Sequence, residues 1–109
     1  MANDIIRNYM RYLKLERNYT YNTLEAYRHD LEYLIDYARQ NDVALVDMKL
    51  ENLENFSASL HDKGIVARSQ ARILCGVRSF YRYLVTDGYI KDDPTELLPS
   101  PQIGEQSPE

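Results

Sequence analysis

Residues 67–86 read ARSQARILCGVRSFYRYLVT, twenty residues without proline, aspartate or glutamate. At about 100° per residue, Ile73, Leu74, Val77, Phe80, Tyr81, Leu84 and Val85 gather on one side of a helix. With Arg68 at zero, Arg72 falls near about +40°, Arg82 near about −40° and Arg78 near about −80°, so the four arginines share an opposite arc of about 120°. Ala71, Cys75 and Ser79, small residues at i, i+4 and i+8, lie among them. The spacing predicts a helix from about Ala67 to Thr86, with a core face and a segregated charge of +4, stopping at Asp87-Gly88.

The same period recurs upstream. Ile6, Tyr9, Met10 and Leu13 mark one face of a helix over about 3–15. Leu24, Tyr27, Leu31, Leu34, Ile35 and Ala38 mark a second over about 21–41, with Thr20 or Asn22 as N-cap; Asn22 has Glu25 at capping-box distance. Leu50, Leu53, Phe56 and Leu60 lie on one side of a shorter third helix that ends at Gly64, a residue suited to a left-handed stop. No useful length alternates with period two. The expected fold is all-α, a single compact four-helix domain over residues 1–90. From Lys91 the sequence becomes KDDPTELLPSPQIGEQSPE, rich in proline and acids, which predicts an extended Pro-rich linker over 91–109 with one helical turn at Thr95–Leu98.

Composition bounds the chemistry. With 109 residues and 44% hydrophobic content, the chain can bury one core and has no room for a second domain. A single cysteine, Cys75, forbids an internal disulfide, and with only His29 and His61 beside it the usual zinc spacings are absent. No apolar run approaches the roughly 18 residues of a membrane span, and the opening MANDIIRNYM lacks a signal peptide's apolar stretch, so no membrane partner and a cytoplasmic address are expected. No Ser-His-Asp order, HExxH or Gly-rich phosphate loop is present, so neither a catalytic site nor a cofactor is expected.

The net charge of −4 would ordinarily argue against a nucleic-acid partner, but its distribution changes that conclusion. Residues 92–109 hold five acids and no base, leaving residues 1–91 with 13 bases and 12 acids, a net of +1. Within that nearly neutral body one helix holds four arginines and no acid. Arginine bonds phosphate or guanine in a fork, and small residues between arginines allow close approach to a duplex. Two other readings stand beside this one. The arginines suit a solvated face paired with acids of the second helix, or a helical interaction module that docks an acidic protein; the small-residue stripe equally suits a helix–helix contact. Arg7, Arg11 and Lys14 form a weaker basic face on the first helix. Arg28 sits beside the apolar edge of the second, and His29 lies off its core side.

Two long runs carry a family resemblance. YLKLERNYTYNTLEAYRHDL at 12–31 resembles the opening of Xer-type tyrosine recombinases, and SQARILCGVRSFYRYL at 69–84 resembles their second helical motif, followed by Asp93-Pro94 and Pro101. The likeness covers about residues 5–101, in order and in register. It implies a SAM-like core-binding domain, one half of a clamp around a double-stranded DNA half-site. A separate catalytic domain would supply the nucleophilic tyrosine, so none of the ten tyrosines here is nominated. Other recombinase subunits, in a tetramer on DNA, are the further partners it implies. Carried over by position, Thr23, Arg28, Ser69, Arg72, Arg78 and Arg82 are the candidate DNA contacts, with Tyr27 and Phe80 in the core. The arginine arc adds Arg68 and Ser79. His29 stands where the family commonly has arginine and joins them as a weaker candidate for a phosphate contact. Val66 stands where a small capping residue often opens the last helix, which leaves that entry without a side-chain cap.

Overall fold

The computed structural model describes residues 2–98. Its elements are α1 (Ala2–Leu15), α2 (Tyr21–Gln40), a 3-10 turn (Leu45–Asp47), α3 (Leu50–Asp62) and α4 (Ala67–Thr86), with no strand among the described residues. The helices fall within a residue or two of the limits expected from periodicity. Their ends have identifiable causes. Thr20 is the N-cap of α2, its hydroxyl accepting from the Thr23 N–H at 3.3 Å, so Asn22 lies inside the helix and is not its cap. Asn52 Oδ1 accepts from the Lys49 N–H at 2.9 Å at the start of α3. Gly64 and Gly88, both at φ +82°, take the left-handed turns that follow α3 and α4. Val66 opens α4 with no side-chain cap, as its side chain requires.

α4 packs chiefly on α2 and then on α3, while α1 packs on α2 and reaches α4 through aromatic side chains. The face expected to be apolar is the core: Ile73, Leu74, Val77, Phe80, Tyr81 and Leu84 are buried against Leu31, Leu34, Leu53, Phe56 and Leu60, with Val85 at the margin. Tyr9 meets Phe80 edge-on, with ring centroids 5.2 Å apart, and Tyr12 lies 4.9 Å from Tyr83. Several tyrosines therefore fasten α1 to α4. Where their hydroxyls are buried they find partners: Tyr81 donates to the Leu45 carbonyl at 2.7 Å, which pins the 3-10 turn to α4. Burial pushes the Tyr9 and Tyr81 hydroxyls well above the usual phenol range. These are structural tyrosines.

Residues 91–98, compositionally part of the linker, do not run outward. They turn back on α4, and Leu98 is only 4% exposed and belongs to the core cluster. In place of the helical turn expected at Thr95–Leu98, residues 94–97 form a non-helical turn, which Asp93 closes from its side chain. The rest of the Pro-rich tail, 99–109, lies outside the described residues. No helix among those described is long and apolar enough to cross a membrane.

Candidate nucleic-acid interface

The arginine arc of α4 is open only in part. Arg68, Cys75 and Arg82 are exposed along its centre. Arg72 is also exposed, but leans toward α2, where a guanidinium nitrogen lies 3.4 Å from Asp30 Oδ1. Within the arc, at about +20° between Arg68 and Arg72, Ser79 accepts a hydrogen bond from the Tyr9 hydroxyl at 2.9 Å and is half-buried under α1. The small-residue stripe is thus divided: its Ser79 end serves a helix–helix contact and its Cys75 end faces solvent. At the edge of the arc Arg78 is half-buried and donates to the Leu98 carbonyl. Arg82, Arg68 and Arg72 stay exposed over about 80°, with Ser79 covered among them.

The candidates on α2 are more dispersed. Thr23 is half-buried in the first turn, where its hydroxyl accepts from Thr20 at 3.1 Å. Arg28 is exposed on a groove between α1 and α2 that also holds Arg7, Glu25, Glu32, Asp36 and Arg39. Charges of both signs mix there. His29 is exposed beside Tyr33, whose ring also faces the Lys63 ammonium at 6.0 Å. On a helix, positions 28 and 30 differ by about 200°, so Arg28 points away from the Asp30 side that meets α4. Ser69 is half-buried in the first turn of α4. The fold therefore brings Arg68, Arg72 and Arg82 together, with Ser69 nearby along the chain, and leaves Arg28 and His29 elsewhere.

One residue at this interface escaped the reading of the sequence. Asp30 has a side chain only 5% exposed, yet it lies at the crossing of α2 and α4. Its carboxylate faces Gly76 across the crossing: a Cβ there would meet Asp30 Cβ at 3.5 Å and Oδ2 at 3.6 Å, ordinary van der Waals contact, so the close approach does not depend on the glycine. Asp30 Oδ1 makes no hydrogen bond, so its 3.4 Å approach to Arg72 is an ion pair without good alignment. Burial raises the Asp30 carboxyl above its ordinary value, and the opposing pull of Arg72 and His29 does not cancel that.

The sign of the pH effect follows. Between its ordinary and its raised value, Asp30 binds more protons in the folded state than in the unfolded one, so its contribution to stability falls as pH rises through that window. At pH 7 the buried charge is a net cost. Asp30→Asn is accordingly expected to gain on the order of 1 kcal/mol at pH 7 in urea denaturation, and to lose that advantage in acid where Asp30 is already protonated. A loss of stability at pH 7 would mean that the Arg72 pair outweighs burial.

Comparison with known proteins places the chain in a family. Residues 6–88 match the family model described as phage integrase, N-terminal SAM-like domain. The chain is 32% identical over 106 residues to a tyrosine recombinase XerD of Staphylococcus aureus (strain N315), an alignment covering 96% of this chain and 36% of that protein. It is 39% identical over 99 residues to a tyrosine recombinase XerC of Pseudomonas syringae pv. syringae (strain B728a), covering 90% of this chain and 33% of that one. The chain thus spans about a third of the length of these curated relatives. No solved structure matches it.

Proposed function

The chain belongs to the phage integrase N-terminal SAM-like domain family, and from that premise we propose that it is a duplex-DNA-binding module that grips a recombination half-site through the exposed strip of α4. The observation that carries this reading is the convergence of Arg68, Arg72 and Arg82 on one solvent-facing side of a helix whose other side is buried core. Guanidinium groups held on a rigid helix suit phosphate oxygens or guanine edges, and the exposed Cys75 between them lets the helix axis come close.

The module acts as one half of a clamp. The other half is a catalytic domain elsewhere in a longer recombinase, which would carry out strand exchange and assemble with further subunits on DNA. The portion of its relatives that this chain matches supports that division of labour, because it amounts to about a third of their length. None of the ten tyrosines acts as nucleophile in this reading. Tyr9 and Tyr81 are sealed in the core, and burial together with contact to Tyr19 pushes the Tyr27 hydroxyl up to about 12.

Fluorescence anisotropy separates this function from docking of an acidic protein. Labelled duplex DNA and a labelled polyglutamate peptide of equal charge are titrated with the 109-residue chain at two salt concentrations. Duplex binding at micromolar to submillimolar concentration, weakening with salt, is the expected result. Preference for the peptide would transfer the arginine strip to a protein partner.

A further inference from the structure

Arg78 lies on the same arc as the other arginines, yet its surroundings differ from theirs. Beyond Gly88 the chain is fixed by the Leu84 carbonyl, which accepts from the Tyr89 and Ile90 N–H groups at 2.8 and 3.3 Å. It then returns along α4. Asp93 Oδ1 accepts from both the backbone N–H and the hydroxyl of Thr95, at 2.8 and 2.6 Å, and so closes the turn that begins at Pro94. The Leu98 N–H donates to the Thr95 carbonyl at 3.1 Å. Thr95 is 3% exposed and Leu98 4%, so both ends of this turn are anchored, one by a polar cap and one by the core. The Leu98 carbonyl is left needing a donor at the edge of that core, and Arg78 supplies it.

The cost of this contact makes it informative. The Arg78 Nε is shut away from water with no partner, whereas Arg68, Arg72 and Arg82 keep exposed side chains. A guanidinium that has given one nitrogen to a carbonyl and lost another to burial no longer offers a free fork. Beside it the turn adds Asp92, Asp93 and Glu96, which oppose an incoming phosphate.

We infer that Arg78 is a positioning residue that latches the 93–98 turn onto α4. In doing so it is withdrawn from the DNA-contacting set. The withdrawal rests on the DNA-binding reading given above; the latch itself does not. Together they give one helix two tasks. Its Arg68, Arg72 and Arg82 side meets the ligand, and its Arg78 edge holds the 93–98 turn.

The test uses the 109-residue chain with Arg78→Met, which keeps the aliphatic stem, and Leu98→Ala, which leaves the arginine in place. Amide exchange by NMR is expected to quicken at least about tenfold at Thr95 and Leu98 in both variants, with protection within α4 retained. In duplex titrations Arg78→Met is expected to leave the slope of log K against log salt unchanged, whereas a lost phosphate contact would flatten it by about 0.9. Unchanged exchange at Leu98 in Arg78→Met overturns the latch, whatever Leu98→Ala does. A flattened slope in Arg78→Met overturns the withdrawal from DNA. Failure of the unaltered chain to bind duplex would remove the DNA-binding reading alone, and the exchange rates would still decide the latch. Were Arg78→Met unable to fold, Arg78→Lys, which keeps the stem and the charge but not the guanidinium donor to the Leu98 carbonyl, would decide it by the same exchange.

Discussion

Phe80→Ala is expected to cost about 3–5 kcal/mol, the largest loss from any single truncation considered. Phe80 is fully buried, and it joins elements rather than merely filling space. Its ring meets Tyr9 of α1 edge-on and Tyr81 of its own helix at 5.2 Å each. Removing it leaves a void that neither partner closes easily. Tyr9 is held by its bond to Ser79, and Tyr81 by its bond to the Leu45 carbonyl. Domains of this size have about 5–15 kcal/mol in total, so the variant should lose a large part of its stability. In urea denaturation the midpoint should fall sharply with little change in slope. Leu97→Ala is the control: its side chain is 78% exposed, so the change should fall within about 0.5 kcal/mol. A loss below 1 kcal/mol for Phe80→Ala would mean that α1 is not fastened to α4 in the way described.

The second large effect concerns binding. The double replacement Arg68→Ala with Arg72→Ala is expected to weaken duplex DNA binding about a hundredfold at low salt, each charge-assisted contact contributing on the order of 1.4 kcal/mol. Both side chains are exposed, so stability should change little by comparison. Arg72→Ala does carry a small stability term, because it leaves the buried Asp30 without its ion-pair partner. Circular dichroism and a thermal melt on the same sample separate that term from the loss of affinity. Arg28→Ala with Arg7→Ala serves as the comparison: these arginines line the mixed-charge groove between α1 and α2. Comparable loss from that pair would move the interface to the opposite side of α2.

The parts of this fold legible in the sequence are those governed by period and punctuation. Leu31, Leu34, Phe56, Phe80 and Leu84 announce themselves by spacing, and all are buried. Gly64 and Gly88 mark helix ends because left-handed φ excludes most other residues. The anchoring of Leu98 was not legible in composition: one apolar side chain in the acidic stretch KDDPTELL has no period, and its burial in the core is a long-range contact. Asp30 escaped notice for a related reason. It lies on the α2 face between Leu34 and Ala26 at helical spacing, where an acid is costly, and its one ion-pair partner, Arg72, comes from another helix. That pairing depends on which helix crosses there, which spacing along α2 does not carry.

The candidate site was legible as an arc and incomplete as a surface. Angles along one helix place Arg68, Arg72, Arg78 and Arg82 together correctly. They carry no information about what covers parts of the arc, and Tyr9 over Ser79 and Leu98 beside Arg78 are long-range contacts. The net charge of −4 is misleading in the same sense, since it sums an acidic tail with a nearly neutral body that carries one basic helix.

The salt dependence of duplex binding by the unaltered chain tests the central claim most directly. If Arg68, Arg72 and Arg82 each neutralise one phosphate, log K falls against log salt with a slope of about −3. A slope near zero, or affinity that does not distinguish duplex from a neutral polymer, would contradict the assignment of α4 as a DNA-binding surface.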